Sequence, residues 1–182
     1  MLRKIFFTNS FLFFISIFVV IILLEILLRL LGFEPWNVYK SDLNEPTVNK
    51  YDSKIGWKPK EGVYDFPPYT QNGNYTKFTI LKDGNRYNGE SATNIKGDII
   101  FIGGSITQGW AVNDEETFPY LLQKKIPNFR LKNYGVSGYG SFQSLLLLEE
   151  ILKKNRNVKF VIYIFFDHHE IRNVGDASWI QF

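Results

Sequence analysis

At 182 residues the chain is long enough for one modest domain with an appendage and too short for two full-sized cores. Its formal charge of +3, from 21 basic and 18 acidic residues without a basic stripe, excludes a nucleic-acid footprint, so no nucleic-acid partner is expected. The lack of cysteine excludes disulfides, thiolate catalysis and cysteine-ligated metals, and two histidines, His168 and His169, in no metal-ligand spacing leave no metal or other cofactor to expect.

In chain order, residues 5–31 read "IFFTNSFLFFISIFVVIILLEILLRLL", a run long enough to cross a hydrocarbon core of about 20 residues as a helix. Arg3 and Lys4 precede it, and the positive-inside bias predicts a cytoplasmic N-terminus with everything after the helix outside the cytoplasm. No small-residue cleavage site follows the run, which favours an uncleaved signal anchor over a removed signal peptide. Glu25 and Arg29 stand i, i+4 and can pair near the far interface, and Gly32 with Pro35 ends the helix. The anchor therefore spans residues 1–32.

Residues 33–97 are rich in Asn, Gly, Pro, Tyr and Lys, with turn signals at "NEP", "FPPY", "QNGN", "KDGN" and "YNGE". The alternation in "TKFTILKDGNRYNG" predicts a short hairpin turning at Asp83 and Gly84. This segment reads as an extended arm packed on the following domain. Its aromatics Trp57, Tyr64, Phe66 and Tyr69 serve either as packing anchors or as a platform for stacking on sugar rings, the first being the commoner use.

From residue 98 to 182 strands and helices alternate: "DIIFIGG" as a buried strand, "ETFPYLLQKKI" as a helix, "FRLKNYGVSG" as a strand, "SFQSLLLLEEILKK" as a helix and "VKFVIYIFF" as a third strand. Strands apolar on both faces predict a parallel sheet covered by helices on two sides, a three-layer α/β/α sandwich of flavodoxin-like type. Function in such sheets gathers at the carboxyl ends of strands, which here read "GGSITQG", "NYGVSGYG" and "FFDHHEIRN". The sandwich is incomplete, with an edge and apolar faces left uncovered.

Ser105 follows the first strand directly. Gly103 and Gly104 let the backbone turn sharply, and the next helix offers free N–H groups to an oxyanion. Gly138 at the second strand end can supply another donor. "GGS" after a strand is equally compatible with a plain tight turn, while the glycine spacing matches neither a P-loop nor a dinucleotide fingerprint.

"IGGSITQG" followed by "NYGVSGYG" resembles the first two blocks of the SGNH hydrolases, the GDSL esterase and lipase family, and "DEETFPYLLQKKI" is similar to that family's first helix. The resemblance implies that Ser105 is the nucleophile and, through its backbone N–H, an oxyanion donor, with Gly138 as the second donor. The family's Asp before the serine is Gly104 in this chain. Its third-block asparagine, another oxyanion donor, corresponds to His168, give or take one residue. The family's late Asp-x-x-His, which carries the catalytic base, is absent, and a C-terminally truncated chain accounts for that; His168 or His169, oriented by Asp167 or Glu170, is the alternative base.

The expected function is that of a membrane-anchored serine esterase acting on acyl or acetyl esters of envelope glycans or lipids outside the cytoplasm. A polysaccharide O-acetyltransferase of the same fold and a catalytically inactive remnant are the alternatives.

Overall fold

The computed structural model describes residues 2–33, 44–70, 72–90 and 94–174. They belong to two units, Met1–Tyr39 and Lys40–Phe182. The first unit is helix α1, Leu2–Leu30. Its stretch Ser10–Leu30 is long and apolar enough to cross a membrane. Gly32 follows with a positive φ of 85° that suits a helix end, and Arg29 holds Glu25 at 2.8 Å one turn away. Pro35 lies outside the described residues.

The second unit opens with two antiparallel hairpins. Strands β1 (Asn49–Asp52) and β2 (Gly56–Pro59) pair with each other, as do β3 (Gly62–Phe66) and β4 (Thr76–Ile80). The expected turn at Asp83 and Gly84 is present, with Gly84 at φ 85° and its N–H donating to Leu81 at 2.8 Å. The returning limb differs from a hairpin strand, because its backbone pairs with β4 at an isolated bridge, between Ile80 and Arg86, and forms no ladder. Arg86 also bridges to Asn133, so this residue joins the arm to the sheet of the domain.

That sheet contains β5 (Asp98–Gly103), β6 (Arg130–Gly135) and β7 (Val158–Ile164), parallel and in the order β6-β5-β7. All six residues of the central strand β5 are buried, as a strand covered on two faces requires. Ile100 and Ile102 point to one face, where they pack with Tyr134, Val136 and, from α4 (Ser141–Lys154), Leu147 and Ile151. Ile99 and Phe101 point to the other, against Leu131 and, from α3 (Phe118–Lys125), Leu122. The fold is therefore an α/β sandwich with helices on both faces of a parallel sheet.

The remaining elements are a 3-10 turn at Asp114–Glu116 and two short helices: α2, Ser105–Gln108, one turn long, and α5, His168–Val174, where a polar strand end was expected. The third strand stops at Ile164 rather than running through Phe166. Among the described residues β7 is an edge, and Phe160 is 56% and Ile162 41% exposed, an amount of uncovered apolar surface unusual for a parallel strand.

The aromatics of the arm are placed as anchors. Phe66 is buried and packs edge-on against Phe78 and Trp110, and Tyr69 tilts toward the same Trp110. Trp57 and Tyr64 are half-buried and Tyr69 is exposed.

Candidate active site

Ser105 stands at the carboxyl end of the central strand, immediately after β5 and at the first position of α2. Close packing explains the two glycines before it. A Cβ on Gly103 would meet the Thr107 hydroxyl and would lie 2.8 Å from the Ile164 carbonyl oxygen, and one on Gly104 would lie 2.7 Å from His169 Nε2. The backbone of α2 rests directly on the last residue of β6, since a Cβ on Gly135 would meet the Gln108 backbone nitrogen and lie 2.7 Å from the Thr107 carbonyl carbon. In this way α2 is pressed into the corner between β5 and β6, whose ends Gly103 and Gly135 are partners in register.

The Ser105 side chain is partly exposed and makes no hydrogen bond among the described residues, so its hydroxyl is available to a ligand. Its carbonyl accepts from the Gly109 and Trp110 N–H groups at 2.9 and 3.1 Å, closing the turn behind it. At the end of β6, Gly138 adopts φ 85°, a conformation that disfavours any side chain. The N–H groups of Ser105 and Gly138 have no acceptor among the described residues. An available serine hydroxyl and backbone donors at the ends of adjacent strands are groups that can attack a carbonyl and hold the resulting oxyanion.

The loop that carries Gly138 is tied to α2 by Gln108. This side chain is 1% exposed, and its Oε1 accepts from the Ser137 N–H at 2.9 Å and from the Ser137 hydroxyl at 2.6 Å. From the other side Trp57 of β2 braces the loop. Its indole N–H donates to the Ser137 carbonyl at 3.2 Å, its ring meets Tyr139 edge-on, and the Tyr139 hydroxyl donates back to the Trp57 carbonyl. A Cβ on Gly138 would come 2.9 Å from the Trp57 ring. The arm is thus part of the wall of the site.

Arg86, also from the arm, holds α2 from below. It is fully buried, and its guanidinium donates to Asp114 Oδ1 at 3.0 Å, to the carbonyls of Gln108 at 2.9 Å and of Gly109, and to those of Val112 at 2.6 Å and Lys77 at 3.2 Å. The last carbonyls of a helix have no partner within it, and one planar fork satisfies those that end α2. Phe78 lies under the guanidinium at 4.2 Å. Desolvation pulls the Arg86 pKa down while Asp114 opposes the shift, and the residue stays charged.

Of the two histidines, the ring that reaches the Ser105 turn is that of His169. It is 2% exposed, sits between Tyr163 and Phe165, and bonds the Tyr163 hydroxyl through Nδ1 at 2.8 Å. Burial and then the nearby Arg172 lower its pKa, which keeps the ring neutral near pH 7. His168, expected at the third donor position, is exposed, and its ring packs on Phe166. The one-residue difference arises because α5 begins at His168, and neighbouring residues on a helix point about 100° apart. Neither ring hydrogen-bonds Ser105 among the described residues, and Asp167 and Glu170 are exposed. Local sequence carried no sign of Arg86, Gln108 or Trp57 as parts of the site, because every partner that defines them is remote in the chain.

Gly104→Ala is expected to cost about 1 to 3 kcal/mol, since the added methyl meets a ring fixed on its far side by Tyr163. Chemical unfolding followed by tryptophan fluorescence reads the loss.

Two cavities, of about 650 and 790 Å³, run along the outer side of β6 and share Lys82, Asp83, Arg130 and Lys132 in their walls. Neither is lined by Ser105, Gly138 or His169. Among the described residues no three metal-ligating side chains converge.

No protein-family model matches the chain, and no curated protein matches it. Among solved structures it is similar to the crystal structure of AlinE4, an SGNH-hydrolase family esterase, with 23% identity and a TM-score of 0.39 over 51% of this chain and 49% of that one. Two variants of the same esterase match over the same shares, one at 23% identity and a TM-score of 0.39, the other at 21% and 0.37. The chain spans about half the length of these structures.

Proposed function

We propose that the chain is a membrane-anchored serine esterase of the SGNH type that cleaves acyl or acetyl esters of envelope glycans or lipids outside the cytoplasm. The observation that carries this reading is Ser105 itself: an available hydroxyl at the carboxyl end of the central strand, with the N–H groups of Ser105 and Gly138 without an acceptor among the described residues. Ser105 Oγ attacks the ester carbonyl, the oxyanion is held by the N–H groups of Ser105 and Gly138, and the alcohol leaves from the tetrahedral intermediate. Water then releases the acid from the acyl-enzyme. Each backbone donor contributes roughly 3 to 4 kcal/mol to the transition state. α1 anchors the protein with its N-terminus, bearing Arg3 and Lys4, in the cytoplasm.

The reaction needs a base for the Ser105 proton, and neither histidine is hydrogen-bonded to Ser105 among the described residues. The test is covalent labelling of the full chain in detergent with a fluorophosphonate, which phosphonylates an activated serine. The expected adduct maps to Ser105 by mass spectrometry and is lost in Ser105→Ala. A folded chain that takes no label overturns the reading in favour of a catalytically silent protein. Acetyl transfer to a glycan hydroxyl in excess of hydrolysis makes it an O-acetyltransferase.

A further inference from the structure

Val136–Tyr139 form a β-turn, closed by the Tyr139 N–H donating to the Val136 carbonyl at 3.2 Å. Of its two central residues only Gly138 has a positive φ, 85°, the signature of a type II turn. Turning the peptide between Ser137 and Gly138 over by roughly 150 to 170° gives a type I turn that keeps the same closing bond. Glycine takes either sign of φ, so the local chain is compatible with both forms. The peptide that turns over is the one that carries the Gly138 N–H, and the two forms point this N–H in opposite directions.

Gln108 does not select between them, because the Ser137 N–H and hydroxyl that it holds lie before the central peptide. The carbonyl of that peptide, on Ser137, has one donor among the described residues, the Trp57 indole N–H at 3.2 Å. The indole is itself fixed. The Tyr139 hydroxyl donates to the Trp57 carbonyl, and the β1–β2 hairpin is tied to α4 on both sides of Trp57. Gln143 Nε2 donates to the Ile55 carbonyl at 3.0 Å, and Lys58 meets Glu150 at 2.7 Å. The ring comes so close to the turn that a Cβ on Gly138 would lie 2.9 Å from its Cζ2.

We propose that Trp57 is a positioning residue that latches the Ser137–Gly138 peptide in its type II orientation. The carbonyl and N–H of a trans peptide point opposite ways, so a carbonyl bound to the indole leaves the N–H facing away from it and free for an acceptor. That this acceptor is an oxyanion rests on the proposed esterase reading. The bond also polarises the peptide that it orients, which strengthens its N–H as a donor. The arm thereby acts on the reaction through one hydrogen bond, without touching substrate.

Trp57→Phe removes the donor together with part of the ring, so the decisive replacement at Trp57 is benzothienylalanine, which has the same outline with sulfur in place of the N–H. Ser137-Gly138 is the one Ser-Gly pair in the sequence, so labelling the full chain in detergent micelles with 13C,15N-serine and 15N-glycine isolates this peptide. In a type II turn the Gly138 N–H lies close to the Ser137 Hα, and in a type I turn close to the Ser137 N–H. The parent chain is expected to give the strong nuclear Overhauser contact to the Hα. The replacement moves it toward the Ser137 N–H, and the rate of fluorophosphonate labelling at Ser105 falls by about tenfold, the factor that one net hydrogen bond is worth. A strong contact between the two N–H groups in the parent chain, or a pattern unaltered by the replacement, overturns the latch. An altered pattern with an unaltered labelling rate overturns its part in the reaction. A parent chain that takes no label defeats the esterase reading, while the contact pattern still decides the latch.

Discussion

Arg86→Met is expected to cost about 3 to 5 kcal/mol of stability, the typical cost of leaving one partner of a buried ion pair alone. The Asp114 carboxylate, 2% exposed, loses its only cationic partner among the described residues and keeps one hydrogen bond, from the Thr79 N–H at 3.0 Å. Four carbonyls, those of Lys77, Gln108, Gly109 and Val112, lose a donor in the same step. Urea unfolding in mild detergent, followed by the fluorescence of Trp57 and Trp110 in the affected unit, should show the midpoint move sharply down. Arg86→Lys is expected to fall between the two, because one ammonium can meet Asp114 but not the carbonyls on both edges of the fork. Removing the acid as well, in Arg86→Met with Asp114→Leu, should recover part of the loss, since no charge is then left buried. A cost below about 1 kcal/mol for Arg86→Met would show that water enters the cluster and that Arg86 does not support α2.

Gly135→Ala is expected to destabilise the fold by at least the 1 to 3 kcal/mol common for overpacking and to slow labelling of Ser105. The new methyl meets backbone, the Gln108 nitrogen and the Thr107 carbonyl carbon, rather than the movable end of a side chain. Relief therefore requires α2 to lift from β6. That motion pulls Gln108 Oε1 away from Ser137 and moves Ser105 relative to Gly138, so the two N–H groups proposed to hold the oxyanion lose their spacing. Gly84→Ala is the contrasting variant. Gly84 has φ 85° with nothing within 4 Å of the added carbon, so it should lose only the roughly 1 to 2 kcal/mol of left-handed strain and leave labelling unchanged. Equal effects from the two alanines would defeat the argument from close packing.

Much of the sandwich was legible because its signals are local. The span expected for α4 coincides with the observed Ser141–Lys154, since its apolar residues recur at helical spacing and glycine precedes it. β5 was equally plain, as an uninterrupted apolar run closed by glycines, and it is buried along its whole length. The hairpin at Asp83 and Gly84 was only half legible. The turn chemistry is local and holds, but the limb after it meets β4 at a single bridge and then β6 at another, and Arg86 has acceptors 22 to 28 residues further along the chain that no local pattern announces. The short helix α5 was not foreseen, since seven residues carry too little periodicity to separate a helix from a polar loop.

The sequence by itself determined that an apolar helix precedes an α/β domain, and that Ser105 follows the central strand with glycines before it, because apolar period and glycine placement act on the residues that display them. Only the tertiary structure decided how that serine is supported. Arg86 and Trp57 come from an arm whose composition suggests only turns, and Gln108 becomes a tie because Ser137 lies across from it. The choice between His168 and His169 shows the reason most directly. Two adjacent histidines are equivalent in composition and in spacing from any motif, and the phase of one short helix packed under α4 turns the first to solvent and the second to Gly104.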